Sequence, residues 1–339
     1  MRGGKSLRRK ILKVLYEENG EYISGEKLSE KFQVSRTAIW KHMNALKEEG
    51  YKIESTHKKG YRLIKTSNKL IPEVLEGDLD TKEIGKKIIY FPTLGSTNNY
   101  SKKIAREVPH GTVVISEEQT NGRGRLGRHW FSPKGEGIWM TIILKPDISP
   151  TEGMKMTQIA AAAVVGAINR VTGLKVLIKW PNDVVLDGKK VCGILTEMAG
   201  ELNKMDYLIV GIGINANSQS FSQDLQSVAT SLAVHKGKNI DRQSLIIDIL
   251  EEFEKLYLAY IKEGNLHKTL KIVRDYSAIL GRNIYVLKGK ERLKAQVLEI
   301  NDEGILVVRY EDGTIAPILS GEVSIRASCD TIKIENPHK

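Results

Sequence analysis

Residues 118–132 (Glu118-Gln119-Thr120-Asn121-Gly122-Arg123-Gly124-Arg125-Leu126-Gly127-Arg128-His129-Trp130-Phe131-Ser132) constrain the fold of this chain more than any other stretch. Gly122, Gly124 and Gly127 match the spacing GxGxxG, and the apolar run Thr112–Ser116 ahead of them reads as a strand. A dinucleotide-binding fold would need a helix to start on those glycines, so that its N-terminus meets the pyrophosphate. Here Ser132-Pro133-Lys134-Gly135-Glu136-Gly137 follows, and then the strand-like Ile138–Leu144. The spacing predicts strand, loop and strand, and excludes the dinucleotide fold.

The loop carries Arg123, Arg125 and Arg128 within six residues on a glycine-rich backbone. Glycine permits close approach of the main chain to a ligand. Guanidinium forks suit phosphate and carboxylate. At an effective dielectric near 20, one charge pair at about 4 Å is worth roughly 4 kcal/mol before desolvation. Three forks can therefore hold a polyphosphate beside a carboxylate that would otherwise repel it. A solvated basic patch is the plainer reading, although Trp130 and Phe131 add aromatic surface.

Three further segments bear on the same chemistry. In Lys175-Val176-Leu177-Ile178-Lys179-Trp180-Pro181-Asn182-Asp183, Lys179 ends an apolar strand, where a buried ammonium calls for an anion. Snorkelling to solvent is the alternative. Gly95-Ser96-Thr97-Asn98 joins hydroxyls to a helix start, which simple capping would also explain. Val210-Gly211-Ile212-Gly213-Ile214-Asn215 ends a strand with two glycines and an amide, fit for flat contact with a ring or for a β-bulge.

The charge is uneven. The chain of 339 residues has a net charge of +11, yet residues 1–66 hold 16 Lys/Arg against 8 Asp/Glu, while the rest holds 36 against 33. A basic end on a nearly neutral body points to a polyanion partner for that end. Helical spacing appears over Leu7–Tyr16, after Ser24, and from Ser35 to about Glu49 with the stripe Ile39, Met43, Leu46. Two alternating segments, 51–54 and 60–64, flank the basic turn His57-Lys58-Lys59-Gly60. That order predicts a winged helix-turn-helix. Its third helix offers Ser35, Arg36 and Thr37 in the first turn and Lys41, His42, Asn44 and Lys47 off the apolar stripe; the wing adds Lys58, Lys59 and Arg62. About four of these cations on phosphate would give a log–log salt slope near −3.6. A solvated bundle, or one docked on the protein's own body, is the competing reading.

Residues 67–82 lose periodicity around Pro72 and Gly77 and read as a linker with room for a short helix. Strand-like runs then alternate with helical ones over 83–277, predicting a mixed α/β (α+β) catalytic domain. Strands are expected at Ile88–Phe91, Thr112–Ser116, Ile138–Leu144, Val176–Trp180, Val191–Met198 and Tyr207–Ile214, and helices at Asn98–Glu107, Met154–Thr172 and Ser244–Glu263. Five short strands within 278–330 suggest an SH3-like barrel. The longest nearly apolar run, Ile159–Ile168, is too short to span a bilayer, and no secretory leader opens the chain, so a cytoplasmic protein without a membrane partner is expected. Two cysteines and seven scattered histidines give neither a disulfide framework nor a protein-held zinc.

Taken together, Ser96-Thr97-Asn98, Gln119, GRGRLGR at 122–128, Trp130, KWPND at 179–183 and GIGIN at 211–215 resemble the biotin protein ligases of the bifunctional kind, the biotin operon repressors. The similarity runs over the whole chain, and the arginine loop and KWPND in this order are its most specific parts. The resemblance implies a class II synthetase-like catalytic domain that uses ATP with Mg²⁺ to make biotinyl-5′-AMP. Biotin then passes to a lysine of a biotin carboxyl carrier protein, that of acetyl-CoA carboxylase or also of pyruvate carboxylase. It implies no metal held by the protein itself.

Carried over to this chain, the resemblance gives Lys179, Arg125 and Arg123 the catalytic work. Ser96, Thr97, Asn98, Gln119, Gly122, Arg123, Gly124, Arg125 and Lys179 would bind biotin. Arg125, Arg128, Trp130, Lys179, Gly213, Ile214, Asn215 and Arg326 would bind ATP or the adenylate. Ser35, Arg36, Thr37, Lys41, His42, Asn44, Lys47, Lys58 and Lys59 would meet operator DNA. Biotinyl-5′-AMP would act as corepressor by ordering the arginine loop and a loop near Asn217–Ser227, favouring a homodimer. The competing classes are a ligase that no longer reads DNA and a metabolite-sensing transcription factor without catalysis.

Overall fold

The computed structural model describes residues 2–18, 20–64, 69–201, 204–288, 291–318 and 323–327. It divides into two compact units, Met1–Leu79 and Asp80–Lys339. In the first, helices α1 (Arg2–Glu17), α2 (Gly25–Phe32) and α3 (Arg36–Glu48) precede the hairpin β1 (Ile53–Thr56) and β2 (Gly60–Leu63). Side chains of Ser24 and Ser35 cap α2 and α3 by accepting from Lys27 and Ala38 backbone N–H groups. Gln33, at φ 52°, makes the left-handed turn between them. Ile11, Leu15, Leu28, Ile39, Met43, Leu46 and Leu63 form one core, and each such side chain contributes about 1.5–3 kcal/mol by leaving water. This is the winged helix-turn-helix.

The first unit reaches beyond the boundary expected at 66. The short helix for which the linker left room is α4 (Pro72–Asp78), opened by Pro72, since proline at the first helical position lacks only an N–H that the helix does not use. Ile71 and Val74 join the N-terminal core.

The second unit is built on a seven-stranded sheet, from β3 (Ile88–Phe91), β4 (Thr112–Ser116), β5 (Gly137–Leu144), β6 (Leu177–Lys179), β7 (Asp183–Leu186), β8 (Lys189–Glu201) and β9 (Lys204–Asn215). The order is β3-β4-β5-β9-β8-β7-β6; only β3 and β4 run parallel. Every residue of β5 is buried, so both faces are covered. On one face lies α5 (Thr97–Ile104), with Ala105 and Val108 packed on Val114, Ile143 and Ile209. The alternate residues go to the other face, against α6 (Gly153–Thr172) and α8 (Arg242–Glu263), which pack on each other. Two shorter helices, α7 (Leu232–Lys236) and α9 (His267–Asp275), complete it.

The C-terminal part is a five-stranded antiparallel SH3-like sheet, ordered β13-β12-β11-β10-β14. Its strands are β10 (Asn283–Lys288), β11 (Glu291–Ile300), β12 (Leu306–Tyr310), β13 (Ile315–Ile318) and β14 (Val323–Ala327). The turn before β12 reaches the part built on the large sheet: the Trp180 indole N–H donates to Gly304 O at 3.0 Å, and Arg274 of α9 donates to Ile300 O at 2.9 Å. Among the described residues no helix is long and apolar enough to cross a membrane.

Candidate functional site

A cavity of about 580 Å³ opens on the α5 face of the large sheet. Its back wall begins at the start of α5, where Ser96 caps the helix. Thr97 donates from backbone and hydroxyl to Gln119 Oε1 at 2.9 and 3.1 Å, and Gln119 Nε2 donates to Ser132 Oγ at 2.9 Å. Asn98 is spent on the scaffold: its Nδ2 donates to Leu195 O and Glu197 Oε2, and its Oδ1 accepts from Thr141 Oγ1 at 2.7 Å. A Cβ at Gly211 would collide with that amide, which is why glycine stands there.

The arginine loop is a small hairpin. Gly124 N donates to Arg128 O and Trp130 N to Gly122 O, with a single 3₁₀ turn, Arg125–Gly127, at its tip. No helix starts on the glycines, as the sequence requires. Arg125 is half-buried and its Nη1 donates to Asn182 Oδ1 at 2.8 Å; burial pushes its guanidinium down from the usual value, with Asp183 pulling the other way. Arg123 and Arg128 are exposed, Arg123 donating to Asn99 Oδ1 at 3.2 Å. The Trp130 ring lies over Gly193 and Gly213, where a Cβ would come within 3.1 and 2.5 Å of it. Its Nε1 is buried without a hydrogen-bond partner among the described residues.

Of the residues expected at the ligand, Ser96, Thr97, Asn98, Gln119, Arg123, Gly124, Arg125, Arg128, Trp130, Lys179, Gly213 and Asn215 line this one cavity. Gly122 and Ile214 are not in its lining. Gly122 packs under Trp130 O and Ser132, and a side chain there would strike both. Ile214, fully buried, alternates to the opposite face from Gly213. Arg326 sits on β14 opposite Tyr285, and its side chain lies outside the described residues.

Sequence reading missed Lys190. Its ammonium pairs with Asp183 Oδ1 at 2.6 Å, stands 5.0 Å from the Trp130 ring centre, and lines the cavity. The pairing of β7 with β8 shifts register between Val184 and Val185, so plain alternation along β8 does not reveal where Lys190 points. Phe221 and Leu225 border the cavity from the loop that follows β9. That loop is pinned by Lys190 N to Val228 O at 2.8 Å and Thr230 N to Lys190 O at 3.0 Å. A buried ion pair, Arg242 with Glu117 at 2.8 Å, ties α8 to the end of β4, and Arg242 also donates to Gly137 O.

In the first unit the expected DNA-facing side chains divide in two. Arg36, Thr37, Lys41, Lys47, Lys58 and Lys59 are exposed; Arg36 pairs with Glu26, and Lys47 donates to Ser55 at 2.6 Å. Ser35 serves as the cap, and His42 and Asn44 are half-buried. Burial, aided by Arg8, lowers the affinity of His42 for a proton. Arg62 pairs with Glu54 at 2.6 Å and lies over Tyr22, which draws it from the wing's outer edge. Trp40, 54% exposed, had no place in the sequence reading, because a single aromatic ring on the polar side of a helix gives no periodic signal.

Residues 90–215 match the Biotin/lipoate A/B protein ligase family, 7–62 an HTH domain, and 279–326 the Biotin protein ligase C terminal domain. The Bifunctional ligase/repressor BirA of Bacillus spizizenii is 39% identical over 94% of this chain and 99% of its own length. That of Escherichia coli is 28% identical over 91% and 95%. The biotin protein ligase from Aquifex aeolicus in complex with biotin and ATP superimposes with a TM-score of 0.62 at 30% identity, over 72% of this chain and all of that one. A winged helix ahead of a biotin-ligase sheet and its small C-terminal barrel defines the class of biotin ligases that also carry a DNA-binding end. The chain belongs to the bifunctional ligase/repressor family within the biotin protein ligases.

Proposed function

We propose that the second unit joins biotin to ATP and hands it to a carrier lysine, and that the first unit represses genes for biotin supply when the adenylate is bound. The observation that carries the reading is that half-buried cations from two distant stretches, Arg125 on the loop and Lys179 and Lys190 beyond it, border the same cavity as Thr97 and Gln119. The polar back wall suits the ureido ring of biotin, whose N–H and C=O groups need partners in a closed pocket. Ser96, Thr97 and Gln119 would supply them, with Asn98 holding the wall in place. Gly124 and Arg123 would close over the ligand.

In the first step a biotin carboxylate oxygen attacks the α-phosphorus of ATP, the bond to the bridging oxygen breaks, and pyrophosphate leaves with the electron pair. Arg125, Arg128, Lys179 and Lys190 would bring the two anions together and stabilise the charge on the phosphoryl oxygens. Mg²⁺, carried by the nucleotide, would share that neutralisation. The donor set fits such a division, because Asp183 is already paired with Lys190 and among the described residues no three His, Cys, Asp or Glu converge. Adenine would take the glycine floor at Gly213 beside Trp130 and Asn215, with only the backbone of Ile214 in reach; Arg326 is a further candidate for the nucleotide.

In the second step the uncharged amine of the acceptor lysine attacks the acyl carbon and AMP leaves. The acceptor would be the carrier protein of acetyl-CoA carboxylase, making this a biotin–[acetyl-CoA-carboxylase] ligase, with pyruvate carboxylase a second acceptor. The adenylate, lying against both the arginine loop and the 217–229 segment, would favour a homodimer whose two winged helices meet operator half-sites. Purified protein mixed with biotin, MgATP and a carrier domain, followed by mass spectrometry, tests the chemistry. The expected result is a carrier heavier by one biotin; an unmodified carrier together with no pyrophosphate release contradicts it.

A further inference from the structure

We infer that Trp40 is the specificity-determining side chain of the winged unit and packs its indole against thymine methyl groups in the major groove. The inference rests on the proposal that this unit reads DNA. On α3, successive residues turn by about 100°. Ile39, Met43 and Leu46 point inward and are fully buried. On the outer arc, spanning about 140°, Arg36, Lys47, Trp40, Asn44, Thr37, Glu48 and Lys41 follow one another around the helix, with Trp40 at the cationic end beside Arg36 and Lys47. Trp40 thus stands within the cationic face, not at its border with the core.

A large apolar ring left 54% exposed loses the stabilisation that burial would give. Arg36, Lys41 and Lys47 around it match a polyanion, not an apolar protein groove. Phosphates can be met by those three, but they carry no sequence information. In the major groove the apolar mark that distinguishes base pairs is the C5 methyl of thymine, and an indole flanked by phosphate-binding cations is placed to meet it.

The test uses the full chain with biotin and MgATP to select duplexes from a randomised pool. Each thymine of the selected site is then replaced by deoxyuridine, which lacks only the methyl. Wild type is expected to lose about fivefold in affinity at one or two positions per half-site, the equivalent of one methyl. Trp40→Ala is expected to bind at least tenfold more weakly, to ignore those replacements, and to keep the wild-type salt slope; Trp40→Phe is expected to recover part of the affinity and of the methyl dependence. A Trp40→Ala protein that still senses the methyls, or that changes self-association in sedimentation with unchanged DNA affinity, overturns the inference. If wild type enriches no duplex at all, the DNA-reading role itself fails and the Trp40 assignment falls with it.

Discussion

The two cationic regions of this chain are built in opposite ways. On α3 and the wing, Lys41, Lys58 and Arg36 stand at the surface. In the cavity, Arg125 is held by Asn182, Lys190 is paired with Asp183 and lies near Trp130, and the polar wall is tied up in Thr97, Gln119 and Ser132. The difference follows from what each must meet. A phosphate backbone is long, repetitive and screened by salt, so mobile exposed charges serve it. A reacting phosphoryl group needs donors fixed before it arrives. The winged face should therefore tolerate single changes with graded losses, and the cavity should not.

The harshest way to strain this contrast is to disturb the cavity's scaffold. Glu117→Gln leaves Arg242 buried without its anion, and removing one partner of such a pair typically costs 3–5 kcal/mol, so urea unfolding of the Asp80–Lys339 unit should shift by about that much. A shift below about 1 kcal/mol would mean the pair organises nothing. Next, Lys190→Ala should lower pyrophosphate exchange by roughly 100-fold to 1000-fold while thermal stability is kept. A change of less than about threefold would place Lys190 outside the reaction. On the other side of the contrast, Lys41→Ala should make the log–log salt slope of DNA binding shallower by about one and leave adenylate formation untouched. An unchanged slope would remove Lys41 from the phosphate contacts.

The smallest expected effect is on pH dependence. His110 Nδ1 accepts the Lys145 backbone N–H at 2.9 Å, and burial holds its pKa below the ordinary histidine value, against the pull of Glu83. Between the folded value and about 6.5 the unfolded chain binds the extra proton, so the contribution is complete above about 6.5 and is lost as pH falls below it. Melting of the full chain from pH 7.5 to 5 should show a slope that His110→Asn reduces, by no more than about 1.4 kcal/mol per pH unit. An identical profile in the variant would exclude this group as its source.

Local signals carried much of this architecture. The caps Ser24 and Ser35 and the stripe Ile39, Met43, Leu46 lie within single helices, and β3 and β4 coincide with their apolar runs. What escaped the sequence depends on partners far along the chain. A short helix had room in the linker, but seven residues are too few to display a period, and the placement of α4 rests on a core made by α1 to α3. The strand order of the large sheet, and β7 in particular, is fixed by pairings that no local pattern encodes. In the site, the motifs Gly122–Arg128 and Lys179–Asp183 were legible as charge on glycine-rich or strand-end backbone. Lys190 was hidden by a bulge, and a motif read as a block did not show the alternation that sends the Ile214 side chain to the other face. Asn98 lines the cavity as expected, and its hydrogen bonds to Thr141, Leu195 and Glu197, which lie far along the chain, could not be read from the sequence.

A crystal structure of the protein with biotinyl-5′-AMP tests the central claim most directly. The expected result is one adenylate in the cavity, its ureido ring at Thr97 and Gln119, its phosphate ringed by Arg125, Lys179 and Lys190, and the 123–128 hairpin closed over it. An adenylate seated elsewhere, with Arg125 still on Asn182 and Lys190 still on Asp183, would contradict the account.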